Sequence, residues 1–191
     1  MASRTSFNAP RVPLMNLRLA CLALLGLSMS VAASAQSRPH ALGAAELDIV
    51  IEATQVTVQL QTPLDALLGF ERAPRTEAEK KSANQAVATL KAADSLFTFT
   101  PAAGCKSTSV ELSSAALGLG HPDPSEAHGD HADLDGTYVF QCASTAQLTE
   151  VDVALFGAFA RLGKIKVEVA TARGQFKREL KRPAQRVSLV R

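Results

Sequence analysis

An α+β domain with a largely antiparallel β-sheet, one long helix and a His/Asp-rich hairpin loop is the fold that this 191-residue sequence predicts. Three observations lead there. Apolar and polar residues alternate with a period of two in several short runs. Only one segment carries a sustained helical period behind a capping signal. A stretch rich in histidine and carboxylate lies between two strand-like runs that carry Cys105 and Cys142. With 47% hydrophobic and 20% charged residues and a mean hydropathy of +0.07, the chain is too apolar for disorder and too charged for a multispan membrane protein. The net charge of +2 carries no general nucleic-acid signal.

The first 35 residues read as a leader rather than as part of the domain. They hold Arg4, Arg11 and Arg18 and no acid, then an apolar run from Leu19 to Leu27, then Ala33-Ser34-Ala35 before Gln36. A basic flank, a short apolar core and an A-x-A site form a secretory signal peptide. The apolar run is shorter than the ~20 residues a bilayer span needs. Cleavage after Ala35 removes three arginines and Cys21, which turns the net charge of +2 into −1 and leaves Cys105 and Cys142 as the only cysteines. The expected organisation is a signal peptide over 1–35, a linker over 36–44 and a single domain over 45–191.

Within the domain, Leu47, Ile49 and Ile51 alternate with Glu46, Asp48, Val50 and Glu52, and Val56, Val58 and Leu60 alternate with Thr57, Gln59 and Gln61. Two such runs with a short connection predict a β-hairpin with one wet face. Pro63–Phe70 reads as a turn-like apolar segment of one or two helical turns. Thr76 followed by Glu79 forms a capping box, and Ala83, Ala86, Val87 and Leu90 recur at helical spacing, so the long helix is placed at about 77–92. Strands are expected at 105–112 and 137–142, and further candidates at 152–156, 164–170, 175–180 and 186–190, with a turn at Ala172-Arg173-Gly174. Residues 161–191 hold ten bases and two acids. Solvent-facing Lys and Arg on strands account for this, and contact with anionic lipid or an acidic partner is the alternative.

The segment His121–Asp135 contains three of the four histidines, five carboxylates and no base. Pro122, Pro124 and Gly129 exclude a regular element. Imidazole with carboxylate oxygen is a zinc-type ligand set, which also suits other divalent transition metals. His128-x-x-His131 can present two imidazoles in one turn. His121, with Asp130 or Glu126, would complete the shell, and His40 would join if its segment folds back. A solvated acidic loop that carries histidines without a metal is the competing reading. Cys105 and Cys142 bracket this loop, and an even cysteine count in an exported chain argues for a disulfide. If the two strands pair with Cys105 opposite Cys142, Val110 faces Thr137. A metal site built from both thiolates is the alternative.

Several residue sets, taken together, resemble the ZrgA-type periplasmic zinc-uptake proteins. They are Gly43-x-Ala45-Glu46-Leu47; Gly69-Phe70-Glu71-Arg72-Ala73-Pro74; Ala103-Gly104-Cys105; the His/acid insert; Tyr138-x-Phe140-x-Cys142; and Leu155-Phe156. The sequence departs from the family pattern at two histidines. Of the H-x-H-G opening only His40 is present, with Leu42 at the second position, and the box histidine is Arg72. The resemblance implies a periplasmic, non-enzymatic protein that binds zinc and assists its import beside an ATP-driven zinc importer. A metal-independent envelope module that docks a protein partner is the alternative. No G-x-S-x-G, H-E-x-x-H, P-loop or dinucleotide fingerprint argues for an enzyme.

Overall fold

The computed structural model describes residues 43–121 and 132–190. The leader 1–35 and nearly all of the linker 36–44 lie outside the described residues. The first two strands, β1 (Ala44–Ile51) and β2 (Gln55–Pro63), form the expected hairpin, with Leu47 against Leu60 and Ile49 against Val58. Leu47, Ile49, Val56, Val58 and Leu60 are all buried on one face, while Asp48 and Gln59 oppose each other on the other.

Among the described residues four α-helices follow, of which only the second is long, as expected; the first lies in the Pro63–Phe70 segment. α1 (Leu64–Leu68) follows Pro63 and stops at Gly69, whose φ of 84° is left-handed and whose N–H donates to the Asp65 carbonyl at 2.9 Å. α2 (Glu77–Lys91) begins at the predicted capping box: the Glu79 N–H donates to Thr76 Oγ1 at 3.2 Å, and the Thr76 N–H donates to Glu79 Oε2 at 3.2 Å. It buries Ala83, Ala86 and Leu90, a face of mostly small residues that lets the helix lie close to its neighbours. α3 (Ala93–Leu96) runs directly into the short strand β3 (Phe97–Phe99). Neither carries a period in the sequence, because four and three residues are too few to show one.

The strands β4 (Lys106–Ser113) and β5 (Asp133–Gln141) pair antiparallel. Lys106 faces Gln141 and Ser107 faces Phe140, which sets Cys105 opposite Cys142 as expected. The ladder then shifts at Thr108, so Val110 faces Tyr138 and not Thr137. The extra residue is a β-bulge, and the Thr108 hydroxyl donates to the Val139 carbonyl at 3.2 Å. Its physical reason is facing: without the bulge Val110 and Leu112 would point to the wet face, and with it they join Tyr138 against the core.

A second correction concerns 152–156. The strand β6 is Glu150–Val153, and α4 (Leu155–Ala158) follows at once. Leu155 and Phe156 are both buried, at 0% and 1% exposure, which consecutive residues of a strand on a one-sided sheet cannot achieve. β7 (Lys164–Thr171), β8 (Gly174–Lys181) and β9 (Arg186–Ser188) complete the chain, with the β7–β8 turn where Ala172-Arg173-Gly174 places it.

The strands form a six-stranded sheet of order β4-β5-β2-β1-β7-β8 and a three-stranded sheet of order β3-β6-β9. All pairs are antiparallel except β1 with β7, so the fold is α+β with mostly antiparallel sheets. The small sheet packs against the inner face of the large one through Phe97 and Phe99. Their rings meet Tyr138 and Phe140 edge-on at centroid distances of 5.0 and 4.9 Å. Among the described residues no helix is long and apolar enough to cross a membrane.

Candidate metal centre

The sheet register decides which loops share an end of the molecule. Glu46 lies beside Gln61, Gln61 beside Asp135, Asp135 beside Ser113, and Glu46 also beside Lys166. Gly43, the start of α1, Ala132 and the residues after Ser113 therefore all lie at one end of the large sheet, and Gly163 joins them. Hydrogen bonds fix this end. The Leu64 N–H donates to the Ala132 carbonyl and the Gly163 N–H to the Gly43 carbonyl, both at 2.8 Å. The Ser114 hydroxyl donates to the Asp133 carbonyl at 2.7 Å. Ser114 and Leu119 close a small turn through two backbone hydrogen bonds of 3.0 and 3.1 Å. Gly120 follows at φ 60°, and a Cβ there would lie 2.6 Å from the Leu112 carbonyl oxygen. The chain thus leaves this scaffold at His121 from a fixed point and returns to it at Ala132.

His121 is exposed, with Nδ1 3.1 Å from the Gly120 carbonyl oxygen. The other expected ligands, His40, Glu126, His128, Asp130 and His131, lie outside the described residues. Among the described residues no three His, Cys, Asp or Glu side chains come together in a metal-holding group. Cys105 and Cys142 are joined by a disulfide with an S–S distance of 2.08 Å, so in this structure they are not thiolate ligands.

Sequence reasoning missed three residues at this end. The Arg161 guanidinium lies across Gly69, where a Cβ would come within 2.6 Å of Nε, and the Arg161 carbonyl lies 3.1 Å from where a Gly43 Cβ would stand. Arg161 thus links the Gly43 opening to the Gly69–Pro74 box, which are adjacent only in the fold. Asp65 and Glu71 accompany it. Burial and then the charge of Glu71 push the Asp65 carboxyl above its ordinary range, against the opposing pull of the Ala66 N–H and Arg161. The left-handed Gly69 was the one signal of a tight approach, and nothing in the sequence named Arg161 as its partner.

Arg72 has a different engagement. Its guanidinium makes a bidentate pair with Glu79 at 2.8 and 3.0 Å and lies 5.1 Å from the Phe70 ring centre. Glu79 also accepts from the Arg75 N–H at 2.6 Å, and these bonds, with Arg72 foremost, hold its carboxyl down at about 2. At this position the box supplies a cation that locks the start of α2 and offers no lone pair to a metal.

No curated protein matches the chain in sequence. The model of the ZrgA family, described as zinc uptake proteins, matches residues 39–189, from the segment before β1 to the residue after β9. The chain carrying this sheet, this disulfide and these histidine-bearing segments belongs to the ZrgA family of zinc uptake proteins.

Proposed function

We propose that this protein is an exported, periplasmic zinc-binding accessory of zinc uptake that carries the ion without catalysing a reaction. The observation that carries the reading is the placement of attachment points. The histidine-rich segment leaves at His121 and returns at Ala132, the His40 segment enters at Gly43, and all three points lie at one end of the six-stranded sheet. A fixed scaffold that holds both ends of a histidine- and carboxylate-rich segment suits capture of a divalent ion by that segment. His121, His128 and His131, with Asp130 or Glu126, are the proposed ligands, and His40 an auxiliary one. Family membership supports zinc as the ion, and the recipient in this reading is an ATP-driven importer. The disulfide supports an oxidising compartment, as the leader reading requires.

Arg72 favours a second reading, a metal-independent docking module, because it replaces a potential imidazole with a guanidinium spent on Glu79. Calorimetric titration of the chain from Gln36 onward with zinc, copper, nickel and manganese separates the two. Saturable zinc binding supports the carrier, and no heat with any of the four metals supports the docking module.

A further inference from the structure

The two edges of the six-stranded sheet are treated differently. At β4 the ladder is broken by the Thr108 bulge, and the Ser107 N–H is taken by Asp94 Oδ1 at 3.1 Å. Bulges and side-chain caps are devices that stop a sheet edge from pairing. At β8 the register runs without a break from Lys164 against Lys181 to Thr171 against Gly174, and the strand contains no proline. The Arg182 N–H donates to the Gly163 carbonyl at 3.4 Å. Antiparallel pairing alternates, so residues 174, 176, 178 and 180 also bond to β7, while Lys177, Glu179 and Lys181 present their N–H groups outward. β8 ends the strand order of the sheet, so these three N–H groups have no ladder partner among the described strands.

The surroundings of this edge specify a chemistry. Arg173, Lys177, Arg178, Lys181 and Arg182 lie on or beside β8 against the single acid Glu179. Lys177 and Lys181 touch Glu168 and Glu179, yet their side chains stay 76% and 72% exposed. Arg178 lies over the Phe176 ring at 4.6 Å. Beyond Phe176 a groove of about 470 Å³ is lined by Ile51, Leu148, Leu189 and Val190, with Arg173 at its rim. Antiparallel pairing with a second copy, centred on Glu179, would set Lys177 against Lys181 on both sides, a repulsive arrangement. In that register charge opposes self-pairing, and two outward carbonyls of the edge are engaged within the chain, that of Lys177 by Arg178 Nη1 at 3.1 Å and that of Lys181 by the Ala184 N–H at 2.8 Å, which leaves the outward N–H groups for a partner.

From this we infer that β8 is a strand-addition site for an extended segment of a partner protein in which acidic and apolar side chains alternate. Main-chain hydrogen bonds to Lys177, Glu179 and Lys181 would supply affinity, the basic side chains would select acids, and Phe176 with its groove would take the apolar side chains. This surface is independent of the zinc reading and stands whether or not the histidines bind metal.

The test uses a blocked octapeptide alternating valine and glutamate, its valine–lysine counterpart, and the exported chain followed by amide hydrogen exchange. The glutamate peptide should slow exchange at Lys177, Glu179 and Lys181 by about tenfold or more, with the effect shrinking as salt is raised, and the lysine peptide should not. Glu179→Pro removes one outward N–H without touching the β7–β8 ladder, and proline is tolerated on such an edge, so this variant should fold and lose the peptide. Lys177→Glu should weaken it through charge alone, since its side chain lies on the face that would meet the acids. The proposal is overturned if the glutamate peptide fails to bind, binds the Glu179→Pro variant equally, or protects β4 instead. Equal protection by the lysine peptide, self-association through β8, or binding to phosphatidylglycerol vesicles without peptide binding would also overturn it.

Discussion

Glu79 ties three separate donors to the start of α2. It accepts from the Arg72 guanidinium and from the Arg75 and Thr76 N–H groups. Its carboxyl is held at about 2 against an ordinary 4.5, so the charged form is favoured in the folded state. The stability this gives is fully present above 4.5 and is lost as pH falls through about 2. Glu79→Gln keeps the shape and a capping acceptor but loses the charge. The variant should be less stable than the parent near neutrality, and the gap in urea midpoint should close between pH 5 and 2; a constant gap would contradict the assignment. Tyr138 is the opposite case. It is fully buried, its hydroxyl has no hydrogen-bond partner among the described residues, and burial pushes the phenol above its usual range. Tyr138→Phe removes an unsatisfied group while keeping the ring against Phe97. The change should be neutral or stabilising by about 1 kcal/mol in chemical denaturation, and a loss of that size would reveal a partner for the hydroxyl. The Thr76–Glu79 box was readable in the sequence because its partners are three residues apart. The Arg72–Glu79 pair was not, since seven residues and Pro74 separate them.

At the scale of elements, strand existence was legible and strand detail was not. The alternation of 47–51 and 56–60 predicts the β1–β2 hairpin because one face is dry and the other wet. The bulge in β4 was encoded but overlooked: Cys105 and the pair Val110 and Leu112 sit at opposite parity, and only an extra residue lets all three face inward. Likewise adjacent Leu155 and Phe156, both strongly apolar, signal a turn of helix better than a strand. The points from which the histidine-bearing segment leaves and to which it returns follow β4 and precede β5. The Cys105–Cys142 bond closes a loop of sequence separation 37 around them. In the chain-entropy model such a closure is worth about 3–4 kcal/mol. Reduction, or Cys105→Ser with Cys142→Ser, should lower unfolding stability by about that amount in guanidinium titrations. A reduced protein as stable as the oxidised one would show that β4 and β5 hold together without the bond.

Across the whole molecule, the histidine residue types were visible in the sequence, but their common origin was not. It follows from strand order: β1 begins, β2 ends and β5 begins at the same end of the sheet. Loop composition gives ligands, and only topology shows that the segments start together. The other end of the sheet carries the disulfide and the groove beside β8, while β8 itself runs from that groove to Lys181, beside the end where Gly43 and Gly163 lie. The central claim is that the 121–131 segment binds zinc. Each lost imidazole should weaken binding by at least about tenfold, since even indirect ligand partners cost that much. The most direct measurement is calorimetric zinc titration of the exported chain beside the double variant His128→Ala with His131→Ala, with thermal melts of both. Measurable binding by the parent, none by the variant and equal metal-free melting is the predicted result. Unchanged zinc affinity in the variant would contradict the account.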